Sequence, residues 1–133
     1  MKSVAGTVWC NTWIFGGAFC YGFCPSAKAW HATMKRLGYV ASYPTTAGHA
    51  TIFTKDNQRT VVVTVAESHD KGDGVVVSSL ILHEAVHVWQ EWYSLIGESD
   101  PSAEFEAYMI QHIYIELMDA YTATRGEIFK RAA

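Results

Sequence analysis

Two histidines four residues apart flank a glutamate in the run His83-Glu84-Ala85-Val86-His87. On a helix, residues i and i+4 lie one turn apart on the same face, so both imidazoles can reach a single Zn²⁺. Glu84 falls between them and can take a proton from a water that the metal activates, which produces a nucleophile at neutral pH. The residue types and their spacing point to metal-assisted hydrolysis. The surroundings favour the helix this requires. Leu82, Val86 and Trp89 recur at helical spacing, as do Ile81, Ala85, Val88 and Trp92. Both sets are expected to face a core, with His83, His87 and Gln90 on another side. Neither Pro nor Gly interrupts Val75 to Ile96, and Gly97 stands where a helix stop is expected.

A third ligand must come from another segment. Asp100 reads as an N-cap and Pro101 as the first residue of a second helix. That helix carries Ser102-Ala103-Glu104-Phe105-Glu106-Ala107-Tyr108, far enough from His87 to turn and return antiparallel. Glu104 and Glu106 are about 200° apart around a helix, so only one of them can face the metal. Glu104 is preferred because Ala107, Tyr108 and Gln111 share its face; Glu106 as the ligand, or both glutamates in solvent, stay open. Hydrolysis also needs a donor for the oxyanion that forms when water attacks a carbonyl. Tyr108, Tyr93 and His112 are candidates along the helices, and His49 and His69 from the loops.

The string HEAVHVWQ followed by ExxAY resembles the gluzincin group of zinc metallopeptidases, and the small size of the chain resembles the minigluzincins. More narrowly, HEAVHVWQEW…GESDPSAEFEAYMIQHI is similar to small metallopeptidase-like proteins encoded by bacteriophages and prophages. The resemblance covers about residues 75–115. It implies zinc as cofactor, His83, His87 and Glu104 as its ligands, and Glu84 as general base. It further implies a peptide or protein substrate, and the host cytoplasm or a phage virion as the place of action. The chain departs from the thermolysin-like members at Tyr108, where they carry an aspartate that hydrogen-bonds a ligand histidine. A tyrosine hydroxyl can donate or accept but supplies no negative charge to orient an imidazole.

Stepping outward, Ser26 to Leu37 predicts a helix stopped by Gly38, with Ala27, Trp30, Met34 and Leu37 on one face. Ala50–Thr54 and Thr60–Val65 read as strands joined by a turn over Lys55–Arg59. The expected fold is α+β: a small zincin-like domain over 26–133, with helix, β-hairpin or small sheet, HExxH helix and antiparallel glutamate helix. Residues 1–25 read as an aromatic N-terminal arm or extra layer that packs on the core or a partner. Lys2 and the apolar residues after it superficially suggest a leader, but Asn11, Gly16 and Gly17 interrupt them too often for a leader or a membrane span.

The chain's 133 residues are enough for one modest core. A net charge of −3 without a basic run argues against nucleic acid as a partner. Only 17% of residues are charged and 50% are hydrophobic, which predicts apolar surface covered by a second copy or by virion proteins. Cys10, Cys20 and Cys24 make an odd count, against a complete disulfide framework and for a reducing compartment. Cys20 and Cys24 with His31 would lack a fourth donor as a second zinc site. An alternative function of another class is a structural or accessory virion protein that uses zinc to join two helices and docks through its aromatic N-terminus.

Overall fold

The valine-rich run Thr60–Val65 becomes the strand on which the rest is assembled. The computed structural model describes residues 1–10, 17–69 and 73–129. Strands β1 (Lys2–Val4), β2 (Thr7–Trp9) and β3 (Phe19–Phe23) precede helix α1 (Ala27–Leu37). Strands β4 (Gly48–Lys55) and β5 (Gln58–Val65) follow, then a short 3-10 turn at Glu67–His69 and the long helices α2 (Gly74–Leu95) and α3 (Ala103–Arg125). The strands form one mixed sheet in the order β1-β2-β3-β5-β4. Its β3–β5 pairing is parallel and the other pairings are antiparallel.

β5 is covered on both faces, which is why its apolar run is continuous rather than alternating. Val61, Val63 and Val65 join Phe19, Tyr21 and Phe23 in a core beneath α2 and α3. Val62 joins Trp30, Met34 and Cys24 in a smaller core beneath α1. The result is three layers, one helix above the sheet and two below. The turn between β4 and β5 uses Asp56 and Asn57 with φ of 52° and 62°. A two-residue hairpin turn of the primed type needs left-handed backbone at both positions, and Asp and Asn tolerate it. Among the described residues, no helix is long and apolar enough to cross a membrane.

The N-terminal segment is built into this sheet. It supplies three of the five strands, and Phe19, Tyr21 and Phe23 are buried in the main core. Trp13 and Phe15 lie outside the described residues. Gly22 lets β2 close on β3: a Cβ there would stand 2.7 Å from the Trp9 ring and 2.8 Å from the Val8 carbonyl oxygen. Gly22→Ala should therefore destabilise the fold by about 1–3 kcal/mol, as other forced overpackings do. A thermal melt reads this as a lower Tm; an unchanged Tm would mean that the β2–β3 approach is not tight.

α1 follows its sequence closely. The Ser26 side chain accepts from the Ala29 backbone N–H at its start, and Gly38, at φ 81°, closes it. Its buried face is Ala29, Trp30, Thr33 and Met34, so Ala27 is outside and the stripe is turned slightly from the expected one. α2 begins at Asp73, whose side chain accepts from the Val75 N–H, and its last turn is followed by Gly97 at φ 78°. α3 starts at Ala103 with Ser102 as cap, two residues later than Asp100 and Pro101 suggest. Glu98 to Ser102 is used as connecting chain, with the Glu98 carboxylate accepting from the Asp100 backbone N–H at 3.4 Å. The two helices are antiparallel neighbours. Trp89 on α2 donates its indole N–H to Glu106 on α3 at 2.7 Å, and the Ser78 and Tyr114 hydroxyls meet near the opposite end.

Candidate metal centre

The HExxH run lies within α2, and its three polar side chains divide between two surfaces. His83 and His87 are exposed on one face, with their Nε2 atoms 3.1 Å apart. Two nitrogens each about 2.0–2.1 Å from one tetrahedral zinc would stand about 3.3 Å apart, so the pair is already close to the spacing a shared metal requires. Gln90, one turn on, has its amide oxygen 3.0 Å from His87 Nδ1. With the Gln90 amide oxygen as acceptor, the His87 proton would sit on Nδ1 and leave Nε2 a lone pair for a metal. This is the second contact by which ligand histidines are held in tautomer and orientation.

Glu84 turns the other way, toward the sheet, and is only 3% exposed. Its carboxylate packs against the start of β4, where a Cβ on Gly48 would come within 3.3 Å of Glu84 Oε1. A side chain at position 48 would crowd the carboxylate, so glycine is what lets β4 lie against it. β4 is an edge strand, paired on one side only with β5. The glutamate therefore sits where a backbone with an unpaired hydrogen-bonding edge passes the HExxH helix.

Burial raises the Glu84 pKa above the ordinary carboxylate value, while charge on His83, His87 and His49 pulls it down by less. Upward movement is the direction a general base needs, since proton transfer is most effective when the pKa approaches the working pH. It also carries a stability cost. A carboxyl whose folded pKa exceeds its unfolded one holds its proton more tightly when folded, so stability falls as pH rises through the interval between the two values. Below that interval the cost is absent; above it the cost is complete. Before zinc is added, Glu84→Gln should thus raise stability at neutral pH by about 1 kcal/mol, a few degrees in Tm. The gain should vanish in acid; one of equal size at acid and neutral pH would show that charge is not its source.

Glu104 is exposed on the first turn of α3. Glu106 is half-buried and accepts the Trp89 indole N–H. Among the described residues, no three His, Cys, Asp or Glu side chains already converge into a metal-holding group. His83 and His87 stand together, and Glu104 is not grouped with them. Tyr108 is 65% exposed on α3. Tyr93 packs edge-on against Trp89, and His112 Nε2 lies 3.2 Å from Glu116 Oε1, whose other oxygen accepts from the Tyr21 hydroxyl at 2.9 Å. His69 closes the short 3-10 turn. His49 on β4 is near enough to act electrostatically on Glu84.

Two features of the site were not anticipated. Leu82, expected in the core, is 45% exposed, whereas Glu84 is buried; the close approach of Gly48 is the other. A glycine opening a strand is weak information until the strand's neighbour is known. The three cysteines are free thiols. Cys20 contacts the Thr60 hydroxyl at 3.4 Å and Cys24 donates to the Ser26 carbonyl at 3.5 Å, while His31 is exposed on α1. Burial pushes the Cys10 and Cys24 thiols up, away from the reactive thiolate. Compared with protein-family models, curated proteins and solved structures, the chain finds no significant match in any of the three.

Proposed function

We propose that this chain is a zinc-dependent metallopeptidase of compact HExxH type, with His83 and His87 holding the metal and Glu84 acting as general base. The observation that carries this reading is the pairing of two Nε2 atoms 3.1 Å apart with a buried glutamate between them, set against an edge strand. Surface histidines on an amphipathic helix have no need for a buried carboxylate at the intervening position, and burying one is costly unless it has a use. Glu104 is the third ligand in this reading, reaching the pair from the first turn of α3, where an exposed carboxylate can be repositioned without disturbing the core.

When bound, zinc supplies a Lewis acid that acidifies water and polarises a carbonyl. The protein does the rest. The free edge of β4 offers N–H and C=O groups that pair with an extended peptide and lay it past α2. Glu84 accepts the proton of the attacking water and returns it to the leaving amine, a role suited to a carboxyl with a raised pKa. Gln90 fixes the His87 ring, and His49 on β4 stands on the Glu84 side of the site as a candidate donor to the oxyanion.

The test is to incubate the zinc-loaded protein with an unfolded protein or a peptide mixture and identify new termini by mass spectrometry. Cleavage that a chelator abolishes and zinc restores is expected; the absence of new termini across a diverse peptide mixture would remove the peptidase reading. A virion protein that docks through residues 1–25 draws less support, because Phe19, Tyr21 and Phe23 are buried in this chain's own core.

A further inference from the structure

The turn between α2 and α3 encloses a cleft that the metal centre does not use. Its walls are Trp89, Trp92, Tyr93 and Phe105, and Glu98 and Asp100 stand at its rim. We propose that this cleft binds a basic side chain, the ammonium of lysine or the guanidinium of arginine, presented by a partner peptide or protein. The proposal does not depend on the histidine pair holding a metal.

Size, rings and charge support it independently. The cleft holds about 160 Å³, below the usual range for a drug-sized ligand or cofactor and suited to a single extended side chain. The rings are tilted against one another rather than stacked flat. Trp89 lies 5.4 Å from Trp92 at 34°, and 5.8 Å from Phe105 at 73°. The Trp89 indole N–H is held by Glu106, which fixes the ring, and Phe105 keeps 41% of its surface exposed at the mouth. Trp89 and Trp92 are almost wholly buried and form the floor, so the accessible ring surface is that of Tyr93 and Phe105; aromatic rings attract cations through their quadrupole, and more strongly when water is partly excluded.

The charge pattern selects the same ligand. Between Gly74 and Thr124 the sequence has no Lys or Arg, against eight Asp and Glu. Glu91 is paired with Arg59 and Arg125 stands at the far end of α3, so the unbalanced acidic charge gathers at the turn end of the hairpin, where it concentrates cations. A neutral apolar side chain would fill the same walls while covering Glu98 and Asp100 without a partner, which is unfavourable. An anionic group would be repelled.

The indole N–H resonances of Trp89 and Trp92 report on occupancy in the full-length protein. The probes are N-acetyl-lysine methylamide, N-acetyl-arginine methylamide and the uncharged N-acetyl-norleucine methylamide. Saturable shifts are expected with both cationic probes, with dissociation constants about tenfold lower than for norleucine. Asp100→Asn, at an exposed position, should weaken the cationic probes about fivefold and leave norleucine nearly unchanged, whereas Phe105→Ala, which removes a wall, should weaken all three probes. Equal binding of norleucine would overturn the proposal by showing a merely apolar cleft, and so would the absence of shifts with any probe at tens of millimolar. Unaltered lysine and arginine binding in both variants would overturn it by placing the probes elsewhere.

Discussion

Glu84→Gln is expected to cut peptide hydrolysis by about 10³-fold while leaving zinc content and fold in place. Glutamine keeps the size of the side chain against Gly48 and β4, so the packing around a residue only 3% exposed is preserved. What it loses is the capacity to accept the water's proton and return it to the amine. The same substitution should stabilise the metal-free protein at neutral pH, since it removes a carboxylate whose pKa burial has raised. The combination of lost turnover, retained zinc and raised Tm is specific to a buried general base. Lost turnover with lost zinc would instead make Glu84 a structural support of the site. Retained turnover would remove it from the chemistry.

The second large effect separates the two glutamates at the start of α3. Glu104→Ala should weaken zinc binding by about 100-fold or more, as loss of a ligand does, with little change in the stability of the metal-free protein because the side chain is exposed. Glu106→Ala should do the reverse. It leaves the indole N–H of Trp89 without its acceptor at 2.7 Å and should cost about 1–3 kcal/mol of stability, the penalty for an orphaned buried donor. Zinc affinity should then stay close to that of the wild type. Isothermal titration with zinc and a thermal melt on each variant read both quantities. If Glu106→Ala loses the metal and Glu104→Ala keeps it, the ligand assignment is exchanged.

The parts of this fold legible in the sequence are those set by local rules. The α1 caps at Ser26 and Gly38, the β4–β5 hairpin and its Asp56-Asn57 turn, and the extent of α2 each follow from a few neighbouring residues. The strands β1 to β3 were not legible. Each has at most five residues, and β3 owes its place to a parallel pairing with β5 some forty residues away, which no local pattern records. The same separation explains the site. The spacing of His83 and His87 is helical and readable, but the burial of Glu84 depends on Gly48 arriving from the edge of the sheet. α2 packs against both the sheet and α3, so its buried face is broad, and the expected inward position of Leu82 fails at the boundary of that face. The start of α3 differs for another reason: Asp100 and Pro101 look like a helix start, yet α3 begins at Ala103.

If His83 and His87 hold a zinc ion as proposed, elemental mass spectrometry of the purified protein must find it. Wild type and the double variant His83→Ala/His87→Ala would be measured after equal exposure to zinc and removal of the free metal. The account predicts about one zinc per wild-type chain and essentially none in the double variant. Wild-type protein that takes up no zinc, or a double variant that retains it, would contradict the account.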